Sequence, residues 1–178
     1  MLKRNRRPTP GVPMYPESSH IVTVCVDPGI TASGFAIFPG RLGKTREAIP
    51  PFQHGVVKPD SAGGWESRSC SVVRKLMLNL GVYIPRSILI VEFPQLWGGS
   101  AKSYASASRG DLMKLAFMVG QLCWIFRNRP LGIVTPGEWK GNMSKSVVNA
   151  RIKRALGEVY PDHVSDAVGM GLFLQEQL

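Results

Sequence analysis

Four side chains in this sequence could do chemistry together: Asp27, Glu92, His163 and Asp166. Asp27 ends the apolar run "VCVD" and is followed at once by Pro28 and Gly29. Glu92 ends "SILIVE", a second and longer apolar run. A carboxylate at the end of a buried strand is costly unless a partner or a cation compensates it. His163 and Asp166 are three residues apart, and Asp162 and Asp166 four apart, so on a helix either pair shares one face. If the two strand ends and that face converge, hard oxygen ligands and one imidazole surround a small space. Carboxylate oxygens are what Mg²⁺ selects, and paired divalent ions in such a site support phosphodiester cleavage. Each residue also has a plainer reading: Asp-Pro-Gly as a turn, Glu92 as half of a buried ion pair, His163 and Asp166 as the polar start of an amphipathic helix. Glu66, Asp111 and Glu138 fall in loops or helix starts and are read as structural.

The elements that must position these groups are legible as patterns. "HIVTVCVD" and "GFAIF" read as a hairpin about the Asp27-Pro28-Gly29 turn, with a third strand at "FQHGVVK". From Trp65 to Leu80, Val72, Val73, Leu76, Met77 and Leu80 recur at helical spacing, and Gly81 offers a stop. "SILIVEF" is a strand covered on both faces. A long helix follows from about Ser108 to Arg127, then a strand at "LGIVT", a helix at "SKSVVNARIKRAL" with Ser144 as its cap, and a last helix over "DHVSDAVGMGLFLQEQL". A hairpin-linked half followed by an alternating half predicts an α/β fold with a mixed sheet. Right-handed crossovers would lay the "SILIVE" strand beside the first strand, bringing Asp27 and Glu92 to one edge.

Composition narrows the partners. The 178 residues carry 22 Lys and Arg against 12 Asp and Glu, a formal charge of +10, which attracts polyanions and above all nucleic acid. Residues 1–20 gather Lys3, Arg4, Arg6 and Arg7 ahead of several prolines and read as a basic, Pro-rich arm, disordered when alone; residues 21–178 make one domain. No apolar stretch follows those charges as a signal peptide requires. The most apolar segment, "LMKLAFMVGQLCWIF", includes Lys114 and Gln121 and is too short and polar to span a membrane. Cys25, Cys70 and Cys123 are odd in number, far apart and set among apolar neighbours, as reduced core thiols of a cytoplasmic protein would be.

"VCVDPGITASGFAIF", "ILIVEFPQ" and "HVSDAVGMGLFL", in that order and at those distances, resemble the RuvC-type Holliday junction resolvases of the ribonuclease H-like superfamily. The resemblance runs from Ile21 to the C-terminus. It implies a ribonuclease H-like fold, a mixed five-stranded sheet with helices on both faces, in a homodimer. It also implies Mg²⁺-dependent symmetric nicking of a four-way DNA junction; the short chain and reduced thiols fit a bacterial or phage-infected cell. Asp27, Glu92 and Asp166 then match metal ligands, and His163 stands where many relatives have an aspartate, which also admits Mn²⁺; Asp162 is the alternative to it. Lys140 and Lys145 match the family's basic contacts to the scissile backbone, and Arg151, Lys153 and Arg154 extend that patch or simply form a solvated face. In the loop after Glu92, Trp97 is the candidate wedge for the junction centre, with Tyr104 as competitor, while Trp139 packs beneath the lysines. The long helix is apolar around much of its circumference, which a second subunit or neighbouring helices would cover. Other outcomes fit the same residues: a nuclease of this fold acting on flaps or RNA–DNA hybrids, or a junction-binding protein without catalysis.

Overall fold

The computed structural model describes residues 21–60, 63–95 and 109–178. The basic arm, Trp97 and Tyr104 lie outside them. β1 (Val22–Asp27) is buried along its whole length and forms the middle of a five-stranded sheet. β2 (Ser33–Pro39) returns antiparallel to it and β3 (Gln53–Val57) antiparallel to β2, so one half is a meander. On the other side β4 (Ser87–Glu92) and β5 (Leu131–Val134) run parallel to β1, giving the order β3-β2-β1-β4-β5. The mixed sheet and the placement of the "SILIVE" strand beside β1 are as the element order predicts.

Strand parity divides the sheet into two cores. Val22, Val24 and Val26, with Phe35, Ile37, Leu89 and Val91, face α1 (Trp65–Leu80) and α2 (Asp111–Ile125), which contribute Val72, Leu76, Met118 and Leu122. Cys25, Ala36, Phe38 and Ile90 face the opposite layer. There, α3 (Pro136–Trp139), α4 (Lys145–Leu156) and α5 (Asp162–Leu174) supply Trp139, Val148, Ile152, Val164 and Val168. Asp27 shares parity with Cys25, and Glu92 with Ile90, so both acids belong to the layer that carries α5. Among the described residues no helix is long and apolar enough to cross a membrane.

Three details depart from the sequence reading. Cys70 is exposed on α1 and Cys123 only partly covered; Cys25 alone is a core thiol, its pKa pushed far up by burial. After β5 comes a helical turn the sequence reading does not include: Thr135 and Glu138 close a capping box around the single turn of α3, with Pro136 at its first position. The last helix stops at Leu174 rather than running to the end. Gln175 ends it because its amide is captured elsewhere, accepting the Ile49 N–H at 2.6 Å and donating to the Ile49 carbonyl at 3.1 Å, while its own carbonyl accepts the Thr45 N–H at 3.2 Å. The side chain is completely buried. Gln175→Ala leaves a donor and an acceptor of Ile49 unpaired and is expected to cost about 2–3 kcal/mol, read as a lower urea midpoint at unchanged slope.

Candidate active site

The parallel pairing of β1 and β4 sets Val26 opposite Val91, one residue short of both strand-end acids. Asp27 is only 7% exposed. Its strand is broken by Pro28, and the turn beyond is pinned by Ser33, whose Oγ accepts from Gly29 N–H at 2.9 Å and donates to the Gly29 carbonyl at 3.0 Å. Gly29 is required there, since a Cβ would sit 2.2 Å from the Ala32 carbonyl oxygen. α5 then crosses the sheet end against β2 and brings His163 Nδ1 to 2.9 Å from Asp27 Oδ2. Burial raises the Asp27 pKa against the opposing pull of His163, and the negative charge of Asp166 raises it further. Its hydrogen bond to Asp27 raises the pKa of His163 in turn, burial opposing.

Glu92 is held differently. Trp139 Nε1–H donates to its Oε2 at 2.6 Å, and Lys140 Nζ stands 3.8 Å from the same oxygen. Burial, then the Asp27 charge, push the Glu92 carboxyl up to about 7 despite those partners. The folded protein thus holds this proton more tightly than the unfolded chain does, so the fold without metal loses stability as pH climbs from 4.5 through about 7. Glu92→Gln cannot ionise. It is expected to gain on the wild type by up to about 3 kcal/mol between pH 4 and pH 8, as read by chemical unfolding of both proteins in chelator.

Asp166 faces the lysines. Its Oδ1 lies 2.8 Å from Lys145 Nζ and 3.9 Å from Lys140 Nζ, buried and in ionic contact without an aligned hydrogen bond. Lys145 also reaches Asp162, with its Oδ1 at 2.9 Å and its carbonyl at 2.7 Å. Burial works against the Lys145 charge, but the two aspartates outweigh it and raise its pKa. Asp162 points outward, its side chain 75% exposed, and Lys145 holds its pKa down. Of the two candidates for the third position, His163 is therefore the one that touches Asp27.

The predicted quartet falls at one end of the sheet in two pairs, Asp27 with His163 and Glu92 with Asp166, the second pair linked through Lys140. Among the described residues no three acidic, His or Cys side chains form a ready-made ligand cluster; the two ammonium groups stand between the acids. The donor chemistry nonetheless suits a hard divalent cation. Two carboxyls have pKa values raised chiefly by burial, one buried carboxylate oxygen lacks an aligned hydrogen bond, and an imidazole completes the set.

The remaining basic residues separate. Lys140 and Lys145 are at the site itself. Arg151 is drawn to the chain end, its Nη1 donating to the Leu178 carbonyl at 3.3 Å, whereas Lys153 and Arg154 are exposed in the last turn of α4, where they also suit the helix dipole. Glu138 and Asp111 are structural, as expected, one in the capping box and the other paired with Arg109 and Lys114. Trp139 does pack beneath Lys140, whose Nζ lies 4.8 Å from the ring centre. Its bond to Glu92 escapes sequence reading, although a buried indole N–H always demands an acceptor.

Comparison with protein-family models finds no match, and comparison with curated proteins finds none either. Solved structures do match. A structure of T. thermophilus RuvC in complex with a Holliday junction substrate aligns with 86% of this chain and 92% of that one, at a TM-score of 0.64 and 20% identity. A second Thermus thermophilus RuvC structure covers the same shares at 0.54 and 22% identity. The chain therefore has the fold of RuvC, a ribonuclease H-like mixed five-stranded sheet flanked by helices, with its acids gathered at one end of the two parallel inner strands.

Proposed function

We propose that this protein is a metal-dependent, structure-selective endonuclease that nicks four-way DNA junctions symmetrically, as a homodimer, in the recombination or processing of branched DNA in a bacterial or phage-infected cell. The observation that carries the reading is the convergence of Asp27, Glu92, His163 and Asp166, from three distant parts of the chain, at one end of a fold shared with a junction-bound RuvC. Asp27, Glu92, Asp166 and His163 would hold Mg²⁺, or Mn²⁺ in its place. The chemistry such ions supply when bound is a water made nucleophilic at neutral pH and neutralisation of charge on the scissile phosphate and departing 3′-oxygen.

The chain's own residues do the rest. Asp27, buried and braced by His163, fixes one carboxylate against the sheet end. Lys140 and Lys145 present ammonium groups at the mouth of the acid cluster, where a phosphodiester would meet them as point charges. With a phosphodiester bound there, these lysines would exchange their carboxylate partners for phosphate, and Lys145→Ala should weaken binding and reduce its salt dependence. The charge of +10 gives the encounter its long-range pull. Met113, Phe117 and Trp124 expose an apolar face of α2, the face a second subunit would cover to offer two sites to a two-fold junction. Trp97, with Tyr104 as its competitor, is the side chain proposed to stack in the junction centre.

A labelled synthetic four-way junction, incubated with and without Mg²⁺ beside flap, hybrid and linear duplex, tests the reading. Paired nicks at symmetric positions, only with metal and only on the junction, are expected. Cleavage centred on flap or hybrid would reassign the substrate, and binding without any metal-dependent product would make the chain a junction-binding protein.

A further inference from the structure

We propose that Trp139 is a positioning residue for the metal-binding carboxylate of Glu92, its indole N–H fixing Oε2 so that Oε1 is the oxygen presented to a divalent cation. The inference rests on the metal-site reading above and adds to it a residue that motif matching does not reach. Among the described residues both contacts of the Glu92 carboxylate fall on Oε2: Trp139 Nε1 at 2.6 Å and Lys140 Nζ at 3.8 Å. An unbranched glutamate side chain has three rotatable bonds, and among the described residues these are the two contacts recorded for its carboxylate.

The indole is itself held from every side. Trp139 is 2% exposed. The ring abuts Gly169 of α5 so closely that a Cβ there would sit 2.6 Å from ring Cζ3, and the ammonium of Lys140 lies 4.8 Å from the ring centre. Its carrier, α3, is locked by the capping box, in which the Thr135 N–H donates to Glu138 Oε2 at 2.6 Å, and by the Gly137 N–H donating to Gln95 Oε1 at 3.2 Å. The arrangement delivers one rigid donor to one oxygen, as outer hydrogen-bond partners of metal ligands do; their loss commonly weakens metal binding 10- to 100-fold.

The test is Mn²⁺ binding to the full chain without DNA, with free Mn²⁺ read from its paramagnetic resonance signal. Trp139→Phe keeps a ring against Gly169 and removes the donor. Its Mn²⁺ dissociation constant is expected to rise about 10-fold, and in a Glu92→Gln background the same substitution should add nothing. Site-specific replacement of Trp139 by its benzothiophene isostere, which keeps the full ring and lacks only the N–H, should give the same rise should the phenylalanine variant fold poorly. Wild-type affinity in the isostere, or an equal loss with and without Glu92, would overturn the positioning role while leaving the metal site standing. Should Glu92→Gln alone bind Mn²⁺ like the wild type, Glu92 is no ligand, and both the site reading at that residue and this proposal fail.

Discussion

Asp27→Asn is expected to slow junction cleavage at least about 1,000-fold, equivalent to about 4 kcal/mol of transition-state stabilisation, while junction affinity stays within about twofold of the wild type. Asparagine has the same size and can still pair with His163 Nδ1, so the sheet end and α5 remain in place. What disappears is the formal charge at a position only 7% exposed, where water cannot substitute for it. A carboxylate that served only as the lid of a turn would be dispensable here, and the relief of its burial penalty would even stabilise the fold. Single-turnover rates on a labelled junction, set beside gel-shift affinity, separate the two roles. A variant that cuts at the wild-type rate removes Asp27 from the chemistry.

Gly34→Ala is expected to lower stability by about 3 kcal/mol or more, a drop of roughly 10 °C in Tm for a chain of this size, and to abolish activity with it. Gly34 pairs with Asp27 across the hairpin and lies directly under the start of α5. A Cβ there would be 2.0 Å from the His163 carbonyl oxygen, 2.2 Å from its carbon and 2.7 Å from the Val164 nitrogen. All three are backbone atoms of a packed helix, so no side chain can swing aside. The helix must lift from β2, and it carries His163 and Asp166 with it. A melt within a degree of the wild type would mean that α5 does not rest on β2 at this depth. Because the same contact sets both the core and the distance from His163 to Asp27, fold and site are expected to fail together.

Much of this was open to inspection in the chain itself. β1, β2 and β4 are runs of apolar residues bounded by turn formers, and the resulting elements match the expected ones closely; Ser144 caps α4 as its place ahead of "KSVV" suggests. α3 was hidden because one helical turn has no periodicity to detect, and only the mutual bonds of Thr135 and Glu138 create it. The end of α5 is not legible in sequence because "GLFLQEQL" continues a helical pattern, whereas the stop comes from Ile49 and Thr45, about 130 positions away in sequence. Cys70 reads as a core thiol beside Val72 and Val73 yet falls on the outward face of α1, a half-turn displacement that composition does not register.

By itself, the sequence determined which acids end apolar strands and that His163 and Asp166 lie along one helical face, because apolar runs and helix period are local properties of consecutive residues. Only the tertiary structure decided who meets whom: His163 against Asp27, Trp139 against Glu92, Lys145 across Asp162 and Asp166. Those contacts depend on how deeply α5 settles on a strand that lacks a side chain at Gly34, and on a capped turn tied to the end of β4. Both are matters of packing between segments far apart in the chain, where no spacing rule reaches.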